Sequence, residues 1–447
     1  MASDRPTAPP SISSTRAPGY DRSFIPKPAQ PIGSVFKDVE KFPQNKEVPR
    51  LFQELEIRGV KFHNRMMATY STSLDSSDNG HATDWHLVHL GSLAARGIGA
   101  ICIEATAVVP EGRISPEDAG LWADSQIAPL KRIVDFVRSQ GVPIGIQLAH
   151  AGRKASTLSP WVQERASALY ASEGKENVKG GHVASKEAGG WPDNVQAAST
   201  IPFSDGYPQP QAMTSEKIEE FKKAFSDAVD RCNEIGFDFI EIHGAHLLAL
   251  PDFLSPISND RKDQYGGSLE NRLRLALEIT DIARSKWEKP LMFRVSATDW
   301  YDGTERADDA NVKDNEGHGE WRFWGLDQTT ILTKQLRDRG VDLIDISSGG
   351  NYAGQKIPIR PGYQVPFAAH IKQEVPGILV GCVGLITEAK QANDILDKDE
   401  ADVIFLAREL LRHADFPLVC AQDLEVAVQA APQYERAWTR MYKPVEK

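Results

Sequence analysis

The sequence predicts an α/β chain folded as a closed (β/α)8 TIM barrel, with a proline-rich N-terminal extension and long loops on one rim. Three observations predict it. Eight short β-branched, apolar runs recur along the chain, and amphipathic stretches of helical period follow most of them. No G-x-G-x-x-G or Walker pattern follows the first run, where an open doubly wound sheet would normally carry one.

Residues 1–50 hold nine prolines with scattered Ser and Lys. Such a segment cannot form a continuous helix or a central strand, so it is expected to wrap the surface or stay mobile. The barrel domain is set at residues 51–447. Its strands are read at Val60–Ala68, Ala100–Glu104, Pro143–Leu148, Phe237–Ile242, Leu291–Val295, Leu343–Ile346, Ile378–Val380 and Val403–Leu406. Helical patterns fall between them at Ser125–Ser139, Thr214–Ile235, Leu269–Lys286, Leu326–Arg339 and Ala389–Leu396.

Composition bounds the function. With 447 residues, 41% hydrophobic and 25% charged, the chain has the make-up of a soluble globular protein. A net charge of −11 argues against a general affinity for nucleic acid or anionic membrane. Cys102, Cys232, Cys382 and Cys420 are widely spaced, which fits a reducing compartment better than a disulfide framework or a cysteine zinc site. No segment approaches 18 uninterrupted apolar residues, and the first residues lack the apolar core of a secretory signal. A cytoplasmic protein is expected.

In such barrels the site lies at the C-terminal ends of the strands. Those ends carry Ser71-Thr72-Ser73, Glu104-Ala105-Thr106, Gln147 with His150, His243 with His246, Arg294 with Ser296, Ser347-Ser348-Gly349-Gly350, Gly384, and Ala407-Arg408. Amide, guanidinium, imidazole and glycine groups on one rim suit a polar, planar, anionic ligand. The glycines after strands six and seven, with Arg408 opening the helix after strand eight, are placed for a phosphate.

The most informative stretch is His243-Gly244-Ala245-His246. Two imidazoles on one turn can both donate to a single oxygen, which is how a site grips and polarises a carbonyl or nitro group. A metal half-site and a purely structural pair are the other readings. A metal would need a third His, Cys or carboxylate close by, and Leu247-Leu248-Ala249-Leu250-Pro251 offers none, so no metal is expected.

From about residue 50 to Trp438 the chain resembles the Old Yellow Enzyme family of FMN-containing ene-reductases, in the branch shared by bacterial xenobiotic reductases and their fungal relatives. The resemblance rests on Thr83-Asp84-Trp85-His86, Glu104-Ala105-Thr106, Pro110-Glu111-Gly112-Arg113, Gln147-Leu148-Ala149-His150-Ala151-Gly152-Arg153-Lys154, His243 to His246, Phe253-Leu254-Ser255-Pro256, Tyr265 to Arg272, Ser347 to Asn351 and Gln433 to Arg436. It implies that Ala105 and Gln147 contact the flavin ring, that Arg294 sits at its N1–C2 edge, and that Gly384, Ala407 and Arg408 hold the phosphate. Ser71, Thr72, Ser73, Gly349 and Gly350 complete the implied cofactor site. His243 and His246 would bind the carbonyl or nitro oxygen of an activated alkene whose β-carbon accepts hydride. NAD(P)H would reduce the flavin through the same pocket, which accounts for the missing dinucleotide loop. Arg436 resembles an arginine that enters a neighbouring subunit's pocket, so a homo-oligomer is expected.

Three departures qualify the resemblance. The family continues His-Gly-Ala-His-Gly-Tyr, the tyrosine protonating the α-carbon, whereas this chain has Leu247-Leu248, so Leu248 faces the substrate in the donor's place. After strand one the branch's cysteine and tyrosine give way to Tyr70-Ser71-Thr72-Ser73-Leu74-Asp75. Counting from Asn79-Gly80-His81 puts Ser73 in the cysteine's place and Asp75 in the tyrosine's; counting from Asn64-Arg65 puts Thr72 in the cysteine's. Asp75 is then either a pocket acid or base or a solvated loop residue. Third, the connections from Gly152 to about Thr214 and from Thr304 to Trp324 are longer than a barrel needs, and read as pocket walls or as mobile linkers.

The first expectation is therefore an FMN oxidoreductase that reduces an α,β-unsaturated carbonyl or nitro compound with NAD(P)H. A flavin-dependent isomerase or desaturase of a secondary metabolite is the alternative, because the usual tyrosine is missing. A non-enzymic flavin-binding barrel is the third, and the intact set Gln147, His243, His246, Arg294 and Arg408 argues against it.

Overall fold

Eight parallel strands close into one barrel in chain order: β1 (Met66–Ala68), β2 (Ala100–Ala107), β3 (Ile144–Ala149), β4 (Phe239–Gly244), β5 (Leu291–Ser296), β6 (Leu343–Ser347), β7 (Leu379–Cys382) and β8 (Val403–Leu406), with β8 pairing back to β1 through Ile404 and Met66. The computed structural model describes residues 25–69, 79–172, 183–246, 249–303, 305 and 321–438. Alternate strand residues point opposite ways. Ile144, Ile146, Leu148, Ile240 and Ile242 therefore join the large apolar core under the helices. Met67, Cys102, Phe239, Met292, Leu343 and Phe405 form a separate cluster inside the barrel.

The helices that complete the units are α1 (Asp84–Ala94), α2 (Ile127–Ser139), α3 (Ser215–Ile235), α4 (Leu269–Lys286), α5 (Leu326–Asp338), α6 (Val365–Glu374), α7 (Ala389–Asp397) and α8 (Arg408–Arg412). Local chemistry sets their ends. Thr214 caps α3 by accepting from the Lys217 N–H, and Gly236 ends it in the left-handed region at φ 90°. Two of these eight helices escape the sequence reading. In α1 Trp85 and Val88 face outward, 59% and 66% exposed, so apolar residues run round the helix and blur its period. α6 is short and opens on Pro366.

One predicted strand is corrected. Val60–Ala68 is not continuous: Val60–Phe62 pairs antiparallel with Leu55–Ile57, and only Met66–Ala68 enters the barrel. Arg58 and Gly59, at φ 44° and 78°, make the two-residue turn that a twisted hairpin needs. Ile57 and Phe62 then plug the lower end of the barrel against Phe239 and Met292.

Residues 25–49 lie along the C-terminal segment. Val35 bridges Val428, and Asn45 donates to the carbonyls of Phe36 and Ala427 and accepts from the Ala427 N–H. The loop after β3 folds into a helix at Pro160–Ser172 and a strand pair, Gln196–Ala197 with Gln211–Ala212. Trp191 in that loop donates to the Glu111 carbonyl and stacks on Arg113, which fastens the loop to the turn after β2. Of the loop before Trp321, Thr304 and residues 306–320 lie outside the described residues.

Candidate active site

β4 delivers the histidines. Phe239, Glu241 and His243 share the face that points into the barrel, and the chain then turns at His246, a non-glycine residue at φ 54°. A left-handed histidine costs roughly 1 kcal/mol and persists only when neighbours fix it. Two do. The His246 N–H donates to Ser296 Oγ at 3.2 Å, and that hydroxyl donates to the Gly349 carbonyl at 2.9 Å, tying the β4 turn to the β6 turn.

The two rings lie edge to face with centroids 5.9 Å apart. His243 Nδ1 accepts from the Ala245 N–H at 3.3 Å. A nitrogen that accepts carries no proton, so neutral His243 holds its proton on Nε2. That Nε2 and His246 Nδ1 are buried, with no hydrogen-bond partner among the described residues. Burial, then the Arg294 charge, hold both imidazoles well below their ordinary pKa. The pair is thus neutral and carries two unused buried polar atoms on neighbouring rings, groups able to hydrogen-bond an oxygen that gains charge.

Beneath the histidines lies a polar layer. Gln147 on β3 donates through Nε2 to Glu241 on β4, which leaves Gln147 Oε1 buried with no partner among the described residues. Arg294 on β5 pairs with Asp345 on β6 at 3.1 Å and donates through Nη1 to Thr69 Oγ1 at 3.2 Å. Two carboxyls share one guanidinium here, so burial and the Asp345 charge push the Glu241 carboxyl up.

To one side opens a cleft of about 190 Å³ lined by His246, Arg294, Gly384, Leu385, Ala407 and Arg408, among others. Gly384 has φ 120°, and a Cβ there would lie 2.7 Å from Gln364 Nε2, so only glycine fits. α8 has only five residues, so it offers no long helix dipole to this cleft, and the Arg408 guanidinium is the formal positive charge at its start.

Of the sequence-predicted residues, His243, His246, Gln147, Arg294, Gly349, Gly350, Gly384, Ala407 and Arg408 converge on this end of the barrel. Ala105 follows a register shift in β2 and pairs with Gln147. Glu104 turns away to meet His86 of α1 at 2.9 Å, and His150 packs edge-on against Phe221 of α3, so neither belongs to the site. Arg436 stands on an exposed C-terminal turn, Glu435–Trp438. Ser71, Thr72, Ser73, Asp75 and Leu248 lie outside the described residues. Glu241 and Asp345 went unread, although period-two alternation with His243 and with Ser347 marks both as inward-facing. No group of three or more potential metal ligands occurs among the described residues.

A model of the NADH:flavin oxidoreductase / NADH oxidase family matches residues 50–426. The chain belongs to that family. It is 43% identical over 392 residues to an NADH:flavin oxidoreductase of Gibberella zeae, covering 86% of this chain and 88% of that one. A NADPH dehydrogenase of a Geobacillus species is 40% identical over 392 residues, covering 87% of this chain and 98% of the other. Among solved structures, morphinone reductase superposes with a TM-score of 0.62 at 22% identity, over 85% of this chain and 91% of that one. The Pichia Old Yellow Enzyme superposes with a TM-score of 0.63 at 22% identity, over 85% of this chain and 89% of that one. The flavin oxidoreductase is thus an Old Yellow Enzyme-type NAD(P)H-dependent enzyme that uses FMN. Its buried groups fit that cofactor: Gln147 Oε1 is an unused acceptor for a ring N–H, Arg294 offers positive charge, and Gly384 with Arg408 frames space for a phosphate.

Proposed function

We propose that this oxidoreductase reduces the activated double bond of an α,β-unsaturated carbonyl or nitro compound. The observation that carries the reading is the pair of neutral, buried imidazoles, His243 and His246, whose Nε2 and Nδ1 have no partner among the described residues. Hydrogen bonds from two donors to one substrate oxygen withdraw electron density from the β-carbon and stabilise the oxyanion that forms.

FMN, when bound, supplies the hydride and regains it from NAD(P)H. Gln147 and Ala105 would meet its ring, Arg294 would offset the charge of its reduced form, and Gly349, Gly350, Gly384, Ala407 and Arg408 would cradle it, with Ser71, Thr72 and Ser73 on the side of β1. Asp75, Leu248 and Arg436 would border the substrate, Arg436 from a neighbouring copy in a homo-oligomer. A cytoplasmic setting accords with the four unpaired cysteines. No described helix is long and apolar enough to cross a membrane.

Leu248 favours a second reading, an isomerase or desaturase that moves hydride to the cofactor and back without net reduction. Stopped-flow spectroscopy separates the two. A reductase bleaches its yellow colour with NAD(P)H and recovers it with an enone or nitroalkene, whereas an isomerase turns over substrate with no net NAD(P)H use.

A further inference from the structure

Directly after Arg153 stands Lys154, in the turn that follows β3. The two cations are employed differently. Arg153 is fully committed: it pairs with Asp252 at 3.0 Å and donates to the carbonyl and Oδ1 of Asn351. The ammonium of Lys154 makes no hydrogen bond to a described residue and sits 4.4 Å from the ring centre of Phe203, with Tyr207 at 6.0 Å, both in the rim loop.

The turn is pressed onto the one that carries the histidine pair. The Ala249 N–H donates to the His150 carbonyl at 2.7 Å, and a Cβ at Gly152 would run into Asp252. Lys154 is close enough to His246 for its charge to depress that imidazole. It is therefore a cation under an aromatic roof, beside the group proposed to hold the substrate oxygen.

We propose that Lys154 is the proton donor of the reduction, in the role the family gives to the tyrosine that is here Leu248. The proposal rests on the ene-reductase reading. As the β-carbon accepts a hydride, which FMN already reduced by NAD(P)H would supply, the C=C π pair shifts toward the oxygen held by His243 and His246. The α-carbon then takes a proton from Lys154 Nζ, so one N–H bond breaks, one C–H bond forms, and the neutral amine regains its proton from water.

The electrostatics suit the task. Burial, and next the Arg153 charge, pull the Lys154 pKa down to about 7, with Asp252 acting in the opposite sense. A general acid works best when its pKa lies near the working pH. The groups facing it are Arg153 on its own turn, Asp252 on the helix Ala249–Leu254, His246 on the β4 turn, and Phe203 with Tyr207 on the rim loop.

The test compares FMN-loaded wild type with Lys154→Met and Lys154→Arg, measuring reoxidation of the reduced enzyme by 2-cyclohexenone from pH 5.5 to 9. In the wild type the rate should fall as pH rises through about 7. In Lys154→Met that limb should vanish and the rate should drop by ~10²-fold, the usual share of a general acid, while NAD(P)H still reduces the variant. Lys154→Arg should keep the packing yet remain slow. A readout independent of turnover is the ¹³C signal of reductively methylated Lys154, assigned by its loss in the arginine variant, which should titrate near 7 rather than near 10. Wild-type rates and an unchanged pH profile in Lys154→Met, or a titration near 10, would overturn the assignment and leave the ene-reductase reading intact. A wild type that NAD(P)H reduces but that returns hydride to no enone or nitroalkene would overturn both.

Discussion

A Cβ built on Gly350 would lie 2.9 Å from the Cα of His246, so the turn after β6 backs directly onto the turn that presents the histidine pair. The contact is backbone against backbone, and neither partner can yield by rotating a side chain. Gly350 also has φ 91°, which an L-residue rarely adopts.

Gly350→Ala should therefore harm the site more than the fold. Left-handed alanine costs roughly 1–2 kcal/mol, which lowers the melting temperature by a few degrees, while displacement of His246 weakens phenol binding measured on variant reloaded with FMN. Phenol affinity equal to wild type would mean that this contact does not position His246.

His243→Ala and His246→Ala should each weaken binding of a phenolate such as p-hydroxybenzaldehyde by ~10-fold or more, since a hydrogen bond to a charged oxygen contributes about 1.5–3 kcal/mol. Long-wavelength absorbance on titrating the yellow enzyme reads this out. An undiminished band in the double variant would remove the pair from the oxygen site.

Replacing Arg408 with Ala should release the cofactor. One charge-assisted hydrogen bond lost corresponds to FMN held ~10- to 150-fold less tightly, visible as free flavin after gel filtration. Full retention would move the phosphate away from this cleft.

Acid should destabilise the enzyme through buried imidazoles. Burial holds His150 down at about 4 from an ordinary 6.5. Between those values the unfolded chain binds a proton that the folded one refuses, so stability is complete above pH 6.5 and is lost as pH falls toward 4. The share of His150 is roughly 2 kcal/mol at pH 5. The gap between urea midpoints at pH 7 and 5 should narrow in His150→Gln, whose amide oxygen can still accept the Gly152 N–H, while His63, also held at about 4, keeps its own share. Comparing the variant with the wild type isolates His150 from Asp252, whose burial-raised pKa of about 7 acts in the opposite direction. Equal pH dependence in both proteins would contradict the assignment.

Leu248→Tyr should speed reduction of small enones by ~10-fold or more, because even a poorly aligned acid recovers part of the usual factor. The same change should make turnover less sensitive to Lys154→Met. A rate that stays flat in the Leu248 variant would mean that the tyrosine's place is not open to the α-carbon.

The barrel was legible because parallel strands buried on both faces must be apolar runs, and residues such as Ile240 and Ile242 carry that requirement openly. The rim polar groups were legible because they interrupt those runs. Glu241 was not, since a lone carboxyl between two isoleucines reads as a solvated break until the closed sheet turns it toward Gln147. Lys154 was hidden for the opposite reason. Beside Arg153 it looks like one of two surface cations, and only the folded loop sets Phe203 over it. Val60–Ala68 was over-read because the Arg58-Gly59 turn lies just before it and the break at His63–Arg65 has no proline or glycine to mark it.

The hairpin plug has a consequence for throughput. With Ile57 and Phe62 seated among the lower barrel residues, that end is filled by apolar side chains among the described residues, which leaves the opposite mouth as the way to Gln147 and Arg294. On the proposed reading, in which NAD(P)H and the acceptor use the same pocket, reductant and oxidant would share that mouth. A surplus of either obstructs the other, so the flux depends on their ratio as well as on their amounts: abundant nicotinamide would throttle consumption of a scarce acceptor, and a burst of acceptor would starve the enzyme of electrons.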